Sequence, residues 1–287
     1  MKPRLIHVNG KLVPESDACL SPLDRGFTLG DGAFDTMRAV GGRVFRLEHH
    51  LARLDVSARV LGLQLPASSE ILSAAIAELL SANGVTDALI RVTVSRGVPS
   101  ERGVLPANSA TPTITIALTP FTGYPEVAYE RGYRATISTI RRNETSPLSR
   151  IKSCNYLDSV LARVEAARRD ADEAILLNTA GNLACGSTSN LFLVLDGCLV
   201  TPSLESGVLP GVTRGTTLDA AGALHISTAE RTVSISELRR SEEAFVTNTA
   251  FGIMPIVAVD GLPVGSGAPG EICRSLKNVY LSLLIEA

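Results

Sequence analysis

The chain has 287 residues, 45% of them hydrophobic, which is enough for about two domains that each bury a core. Its 27 basic and 29 acidic residues give a net charge of −2, so no basic excess favours a nucleic acid or an anionic membrane surface as partner. Five scattered cysteines form no Cys-x-x-Cys pair, and no apolar run approaches the length of a membrane span. We therefore expect a cytoplasmic protein with reduced thiols.

The first half of the chain mixes short strands with two amphipathic helices. Asn9-Gly10 between two short apolar runs indicates a β-hairpin, and residues 21–26 are typical of a loop. Apolar spacing and turn residues then predict strands at 33–40, 88–95 and 113–118, and helices at 46–63 and 70–82.

The second half has the same mixed character. The patterns predict strands at 134–139, 173–178, 190–195 and 243–247, a Gly/Ser-rich turn at 181–189, and helices at 157–169, 211–223 and 271–284. Residues 119–130 contain two prolines and a glycine, as linkers do. We therefore expect an α+β protein with a small N-terminal domain (1–120), a linker (121–130) and a larger C-terminal domain (131–287).

Lysine is scarce in this chain, which has four lysines and 23 arginines. Lys152 is the one lysine far from both ends of the chain. Arginine replaces lysine on a solvated surface, but not where a deprotonated primary amine must attack a carbonyl group. Lys152 is therefore a candidate for a chemical role, although a general coding bias toward arginine explains most of the ratio.

Phosphate-binding features accompany this amine. Arg53 lies on the first helix, Val212 and Thr213 open a later helix after Gly211, and Thr249 follows a strand in a turn of small residues. The free N–H groups at a helix N-terminus favour an anion. An amine and a phosphate site together indicate pyridoxal 5′-phosphate, whose aldehyde forms a Schiff base with lysine.

Metal binding has little support in the sequence. The four histidines contain one pair, His49-His50, and adjacent residues of a helix point in different directions. We expect this pair to be solvated, and we expect the protein to hold no metal.

Six stretches of the chain resemble the fold-type IV pyridoxal-phosphate enzymes, which include branched-chain aminotransferases, D-amino acid aminotransferases and aminodeoxychorismate lyases. They are SPLDRGFTLGDGAFDTMRA (21–39), FRLEHHLARL (45–54), IKSCNYLDSVLARVEA (151–166), STSNLFLV (187–194), GVLPGVTRG (207–215) and TNTAFGIMPI (247–256). The resemblance implies a small N-terminal and a larger, cofactor-binding C-terminal α/β domain, a homodimer, and small-molecule amino acid and 2-oxo acid substrates.

The resemblance also implies a role for each matching residue. Lys152 would hold the cofactor as a Schiff base and move the proton, while Arg53, Val212, Thr213 and Thr249 would bind its phosphate. Further residues expected at the cofactor are Tyr156, Cys185 and Ser187, and those expected at the substrate are Phe34, Arg91, Arg102 and Ala250.

One position departs from the family pattern. The family motif Glu-Gly-x-x-x-Asn reads Cys-Gly-Ser-Thr-Ser-Asn at 185–190, so Cys185 stands where a glutamate pairs with the pyridine nitrogen. A carboxylate keeps that nitrogen protonated, whereas a thiol is a poorer partner. The Arg-x-His carboxylate trap of the D-amino acid enzymes is also missing, since Glu101 and Gly103 occupy its two positions.

These features favour an aminotransferase that moves an amino group between an amino acid or amine and a 2-oxo acid. The alternative is a 4-amino-4-deoxychorismate lyase, which eliminates pyruvate and leaves 4-aminobenzoate. Arg102-Gly103 and Phe251-Gly252 favour it, as does Cys185, because a cofactor ring that is less often protonated is a weaker electron sink. A third possibility is a cofactor-binding homologue with impaired catalysis, which Cys185 suggests and the retention of Lys152 opposes.

Overall fold

The computed structural model describes residues 3–101, 103–106 and 111–286. The chain divides into two compact units, the first formed by Met1–Thr122 with Ile151–Asn155 and the second by Gly123–Arg150 with Tyr156–Glu286. The predicted division places residues 151–155 in the large domain, whereas their contacts place them in the first unit. The lysine singled out by the sequence therefore belongs to the first unit.

The first unit is an antiparallel sheet covered by helices. Its elements are β1 (Leu5–Val8), β2 (Lys11–Pro14), α1 (Arg25–Leu29), β3 (Gly32–Val40), β4 (Arg43–Val44), α2 (Leu47–Val60), α3 (Ser69–Asn83), β5 (Ala88–Ser95) and β6 (Thr113–Pro120). The strand order is β2-β1-β6-β5-β3-β4. Alternate residues of β5 and the apolar faces of α2 and α3 form one core, in which Ile90, Leu54 and Ile76 are fully buried.

The second unit contains a larger mixed sheet. Its elements are α4 (Glu126–Arg131), β7 (Tyr133–Arg142), α5 (Leu157–Arg168), β8 (Glu173–Asn178), β9 (Leu183–Gly186), β10 (Asn190–Leu195), β11 (Cys198–Pro202), α6 (Val212–Ala223), β12 (Thr228–Arg231), α7 (Ile235–Arg240), β13 (Glu243–Asn248), β14 (Gly252–Val259), β15 (Leu262–Pro263) and α8 (Glu271–Glu286). β9 pairs with both β8 and β10, so the six strands β10-β13-β14-β7-β8-β9 close into a ring. α6 and α8 pack against β13.

The α+β prediction is confirmed, and two local predictions are wrong. The predicted turn 181–189 contains β9, whose four residues are too few to show a period of two. The predicted loop 21–26 runs into the short helix α1, which Asp24 caps by accepting a hydrogen bond from the Gly26 amide. The chain passes from the first unit to the second between Thr122 and Gly123, inside the predicted linker 121–130, which also contains most of α4. Long elements show their apolar periodicity in the sequence, whereas elements of four or five residues are too short to show it.

None of the helices in the described part of the chain is long and apolar enough to cross a membrane. The five cysteines are all free thiols, as the sequence predicts.

Candidate active site

The main chain around Lys152 is fixed between a strand and a helix of the first unit. Ser153 forms an antiparallel bridge with Ala33, and the carbonyl of Lys152 accepts a 2.9 Å hydrogen bond from the Phe34 amide. The Lys152 amide donates to the hydroxyl of Ser57 on α2, at 3.2 Å. Short loops are usually mobile, but these bonds hold this segment as if it were an extra strand of the sheet.

The ring of Phe34 brings two cationic side chains together. The Lys152 ammonium lies 4.4 Å from the ring centroid, and the guanidinium carbon of Arg91 lies 3.6 Å from it. The negative face of an aromatic ring attracts cations at such distances. Three residues that the sequence singled out separately therefore lie in one cluster.

Arg53 is held by a buried carboxylate that the sequence analysis did not identify. Asp35 of β3 is fully buried and accepts hydrogen bonds from Nε and Nη2 of Arg53, both at 2.8 Å. Burial alone would raise the pKa of Asp35, but the Arg53 charge and the bonds from His50 and Arg53 outweigh burial and lower it to about 2. Asp35 is therefore ionised at neutral pH.

His50 is not solvated, so that prediction is wrong. Only 1% of its surface is exposed, and its Nδ1 lies 2.8 Å from Oδ1 of Asp35. Burial is the main cause that lowers the pKa of His50, with the charges of Arg53 and Lys152 acting in the same direction against Asp35. The sequence carries one signal for this cluster. Asp35 is a charged residue in the largely apolar strand 32–40, and His50 and Arg53 are spaced by about one helical turn.

The second unit offers a helix N-terminus. Gly211 caps α6 without a side-chain hydrogen bond, and Val212 and Thr213 follow it. A Cβ at Gly211 would lie 2.1 Å from Oδ1 of Asn190, so this position admits only glycine without a shift of its neighbour. Asn190 in turn donates to the carbonyl of Leu209 at 2.9 Å and fixes the loop that leads into the helix.

Three paired strands end close to this helix. Asn190 is the register partner of both Cys185 on β9 and Thr247 on β13. Thr249 follows β13 in a tight turn. The side-chain oxygen of Asn248 shapes this turn by accepting hydrogen bonds from the amides of Ala250 and Phe251, each at 2.9 Å. Cys185, Thr249 and the N-terminus of α6 therefore lie at one end of the sheet of the second unit.

This end of the sheet fits a phosphate monoester. A helix N-terminus supplies N–H groups and a partial positive charge, and nearby hydroxyls add donors. The Thr247 hydroxyl oxygen, on the register partner of Asn190, is buried without a hydrogen-bond partner among the described residues. Such an unsatisfied hydroxyl can donate to an anionic ligand.

Cys185 is a buried thiol in this region, with 8% of its surface exposed. Burial is the largest influence and raises the pKa of the thiol, Arg142 lowers it, and Glu173 raises it. Glu173 accepts hydrogen bonds from the hydroxyls of Ser187 and Ser189 and from the Ser187 amide. The predicted cofactor residue Ser187 therefore bonds a buried carboxylate.

Two further predicted residues have a less informative environment. Tyr156 occupies the N-cap position of α5, and its side chain is half-buried. Arg102 lies outside the described residues, so its predicted contact with a substrate stays a prediction.

The comparisons with known proteins agree with one another. Residues 32–259 match the family model described as amino-transferase class IV. The chain is 36% identical over 276 residues to a putative branched-chain-amino-acid aminotransferase of Methanocaldococcus jannaschii, which covers 96% of this chain and 94% of that protein.

Two solved structures show the same similarity. The branched-chain aminotransferase of the archaeon Thermoproteus uzoniensis with norvaline superposes with a TM-score of 0.90 and 34% identity, over 98% of this chain and 95% of that one. The 4-amino-4-deoxychorismate lyase of Pseudomonas aeruginosa superposes with a TM-score of 0.87 and 34% identity, over 98% and 100%. Both reactions suggested by the sequence are thus represented among the similar structures.

Proposed function

We propose a substrate class and residue roles for this chain, which belongs to the class IV aminotransferase family and is a pyridoxal-phosphate-dependent aminotransferase of fold type IV. The donor would be a branched-chain amino acid and the acceptor a 2-oxo acid. The similarity to the two branched-chain aminotransferases described above supports this choice of donor. The observation that carries the proposal is the fixed position of Lys152 next to Phe34, Arg91 and the Arg53–Asp35 pair.

Lys152 would bind the cofactor as a Schiff base. The bound cofactor supplies an electron-withdrawing ring that stabilises negative charge at the substrate Cα. The Lys152 main chain is held at two points, so its side chain starts from a fixed position. Once released by the incoming amine, the Lys152 amine would carry the proton from the substrate Cα.

The phosphate would be bound by groups of two kinds. Arg53 offers a charged guanidinium, and Val212, Thr213 and Thr249 offer backbone N–H groups and hydroxyls. Tyr156 and Ser187 would line the ring, as the family pattern implies.

The substrate would meet Phe34, Arg91, Arg102 and Ala250. The Arg91 guanidinium lies against the same Phe34 ring as the Lys152 side chain. A guanidinium can bind a carboxylate through two parallel hydrogen bonds. We propose that Arg91 binds a substrate carboxylate and that Phe34 packs against the substrate side chain.

Cys185 would face the pyridine nitrogen as a neutral thiol. Its burial raises the pKa of the thiol, and the carboxylate of Glu173 is already occupied by two serine residues. A neutral thiol cannot hold the ring nitrogen protonated as a carboxylate does. The electron sink would then be weaker than in a family member with glutamate.

This weaker sink favours a second candidate, 4-amino-4-deoxychorismate lyase. Elimination requires less charge to be delocalised into the ring than transamination does. The similarity to a solved lyase over the whole chain supports the same alternative. The lyase would release pyruvate without any amino acceptor.

The assembly would be a homodimer. The exposed apolar residues of α5 support this proposal, because they recur three, four and seven positions apart and form one stripe: Leu157, Val160, Leu161 and Val164. Such a stripe is commonly covered by another chain. Analytical ultracentrifugation of the purified protein tests this assembly.

A half-reaction experiment separates the candidate functions. The cofactor-loaded protein is mixed with L-leucine, L-valine or D-alanine, and the visible spectrum and the released 2-oxo acid are recorded. We expect the branched-chain L-amino acids to convert the cofactor to its amine form with one equivalent of 2-oxo acid. Pyruvate release from aminodeoxychorismate, without conversion by any amino acid, would favour the lyase instead. Cofactor binding with no turnover of either kind would indicate an impaired homologue.

A further inference from the structure

A buried carboxylate supports Arg53, the candidate phosphate-binding arginine of the first unit. Asp35 follows Phe34 on β3, and its two oxygens accept hydrogen bonds from Arg53 and His50 of α2. Arg53 is therefore held on β3 by a carboxylate next to Phe34, the ring that the Lys152 side chain approaches.

We propose that Asp35 is a positioning residue that fixes the Arg53 guanidinium relative to Lys152, so that a phosphate and an aldehyde on one molecule are bound together. The inference rests on the proposed function, because it needs Arg53 to bind the cofactor phosphate. It adds a role to a residue that neither the sequence analysis nor the family pattern assigned.

The geometry of the ion pair fixes the orientation of the Arg53 side chain. Asp35 Oδ2 pairs with Nε and Oδ1 pairs with Nη2, both at 2.8 Å. This two-point contact fixes the plane of the guanidinium. A single-point contact would leave the plane free to rotate.

The charge balance of the pair explains why a carboxylate is needed. The Arg53 side chain is 9% exposed, and a buried guanidinium without a counter-ion would be strongly destabilising. Asp35 is ionised and compensates this charge. The pair can then present directed N–H groups to an anion without being a buried net charge itself.

His50 restrains the carboxylate at a third point. Its Nδ1 lies 2.8 Å from Oδ1 of Asp35, and an ionised carboxylate can only accept. The hydrogen therefore sits on Nδ1 of the neutral imidazole. Oδ1 accepts from His50 and Arg53 at once, so rotation of the Asp35 carboxylate would break both bonds.

Ser57 ties the same helix to Lys152. Its hydroxyl donates to the Arg53 carbonyl at 2.9 Å and accepts from the Lys152 amide at 3.2 Å. One hydroxyl has one hydrogen to donate and lone pairs to accept, so both bonds can exist together. Hydrogen bonds to one turn of α2 and to β3 thus hold both the Arg53 side chain and the Lys152 main chain.

The test compares two ligands that differ only in the phosphate. Dissociation constants of pyridoxal 5′-phosphate and of pyridoxal are measured for the full-length protein and for Asp35→Asn by absorbance titration. We expect the preference for the phosphorylated ligand to fall about tenfold or more in Asp35→Asn, as outer partners of ligand-binding groups commonly show, with little change for pyridoxal. An unchanged preference, or equal weakening for both ligands, would overturn the positioning role.

A double-mutant cycle shows whether Asp35 acts through Arg53. Arg53→Gln and the double variant Asp35→Asn/Arg53→Gln are titrated in the same way. If Asp35 acts through Arg53, the double variant has the same preference as Arg53→Gln alone. Additive losses would contradict the proposal. If Asp35→Asn does not fold, His50→Gln replaces it, with a smaller loss of the same preference expected and no loss contradicting the proposal.

Asp31→Asn is a matched control. Asp31 is another carboxylate of the first unit that accepts hydrogen bonds from two arginines, Arg25 and Arg96. Its removal is expected to lower thermal stability and to leave the phosphate preference intact; an equal loss of preference there would make the Asp35 effect merely structural. A wild-type protein with no phosphate preference, or one whose preference survives Arg53→Gln, would contradict the proposed phosphate site itself.

Discussion

The two units would present groups to the proposed phosphate by different physical means. The first unit uses charged side chains, with Arg53 fixed by the buried Asp35 and Lys152 held by its own main chain. The second unit uses the N-terminus of α6, a glycine at its cap, and hydroxyls at strand ends.

This difference determines what each region tolerates. A buried ion pair depends on both partners, because removal of one leaves the other as an uncompensated charge. A helix N-terminus depends on backbone position, so a change of side chain matters only where it moves the backbone or its supports. Substitutions in the first unit should therefore weaken ligand binding by leaving a charge uncompensated, and those in the second unit by displacing the backbone.

The largest effect is expected for Lys152→Ala. Without this amine the protein has no Schiff base at position 152, and we expect the transamination rate to fall by about a thousandfold or more. Borohydride reduction followed by peptide mass mapping should find no cofactor adduct on the 151–166 segment. Lys11→Ala changes an exposed lysine of β2 and should keep the adduct. An adduct formed equally well in Lys152→Ala would contradict the assignment.

Acid should reveal the ion pair of the first unit. The folded-state pKa of Asp35 is about 2, below its ordinary 3.8, so its stabilising contribution is complete above about pH 4 and is lost as the pH falls toward 2. The shift corresponds to roughly 2 kcal/mol of unfolding free energy at neutral pH. Denaturant unfolding of the wild type and Asp35→Asn should differ most above pH 4 and converge below it. A difference that grows on acidification would refute this explanation.

The backbone site of the second unit should respond to glycine substitutions according to position. Gly211→Ala would place a Cβ 2.1 Å from Oδ1 of Asn190 and displace the support of the loop, so we expect about tenfold weaker cofactor binding. Gly215→Ala lies in the same helix with nothing within 4 Å of its Cβ, and should raise stability by roughly 0.5–1 kcal/mol. Equal cofactor affinity in both variants would show that the α6 N-terminus is not a binding site.

The smallest effect is expected at the thiol. Cys185→Glu should restore a carboxylate at the ring nitrogen and raise the transamination rate several-fold, if the weak electron sink limits it. Cys185→Ser keeps a small neutral side chain and serves as the control. Presteady-state rates of the donor half-reaction measure both, and an unchanged or lower rate in Cys185→Glu, in a folded protein, would exclude a limiting electron sink.

Much of the fold could be predicted from the sequence. Strands β5, β8 and β10 have the predicted bounds, because β8 and β10 are largely apolar runs and β5 alternates buried apolar residues with more exposed ones. The short strand β9 and the helix α1 were missed, since so few residues show no periodicity. Their formation depends on tertiary partners, such as the Cys185–Asn190 pairing.

The candidate site was predictable where single residues are chemically unusual. Lys152 stands out against 23 arginines, and the family resemblance singles out Arg53, Thr213 and Thr249 as candidates. The supports of these residues were not found, because Asp35, His50 and Ser57 come together only through the packing of β3 on α2. A solvated histidine pair was the reasonable expectation from helical geometry alone, yet tertiary burial reversed it for His50.

One spectroscopic experiment tests the central claim that this chain transfers amino groups through Lys152. The protein loaded with pyridoxal 5′-phosphate is titrated with L-leucine, and a parallel sample is reduced with borohydride before digestion and mass mapping. The account predicts loss of the visible band with stoichiometric 2-oxo acid, and an adduct on Lys152 in the reduced sample. A visible band that no amino acid converts, or an adduct at a different lysine, would contradict it.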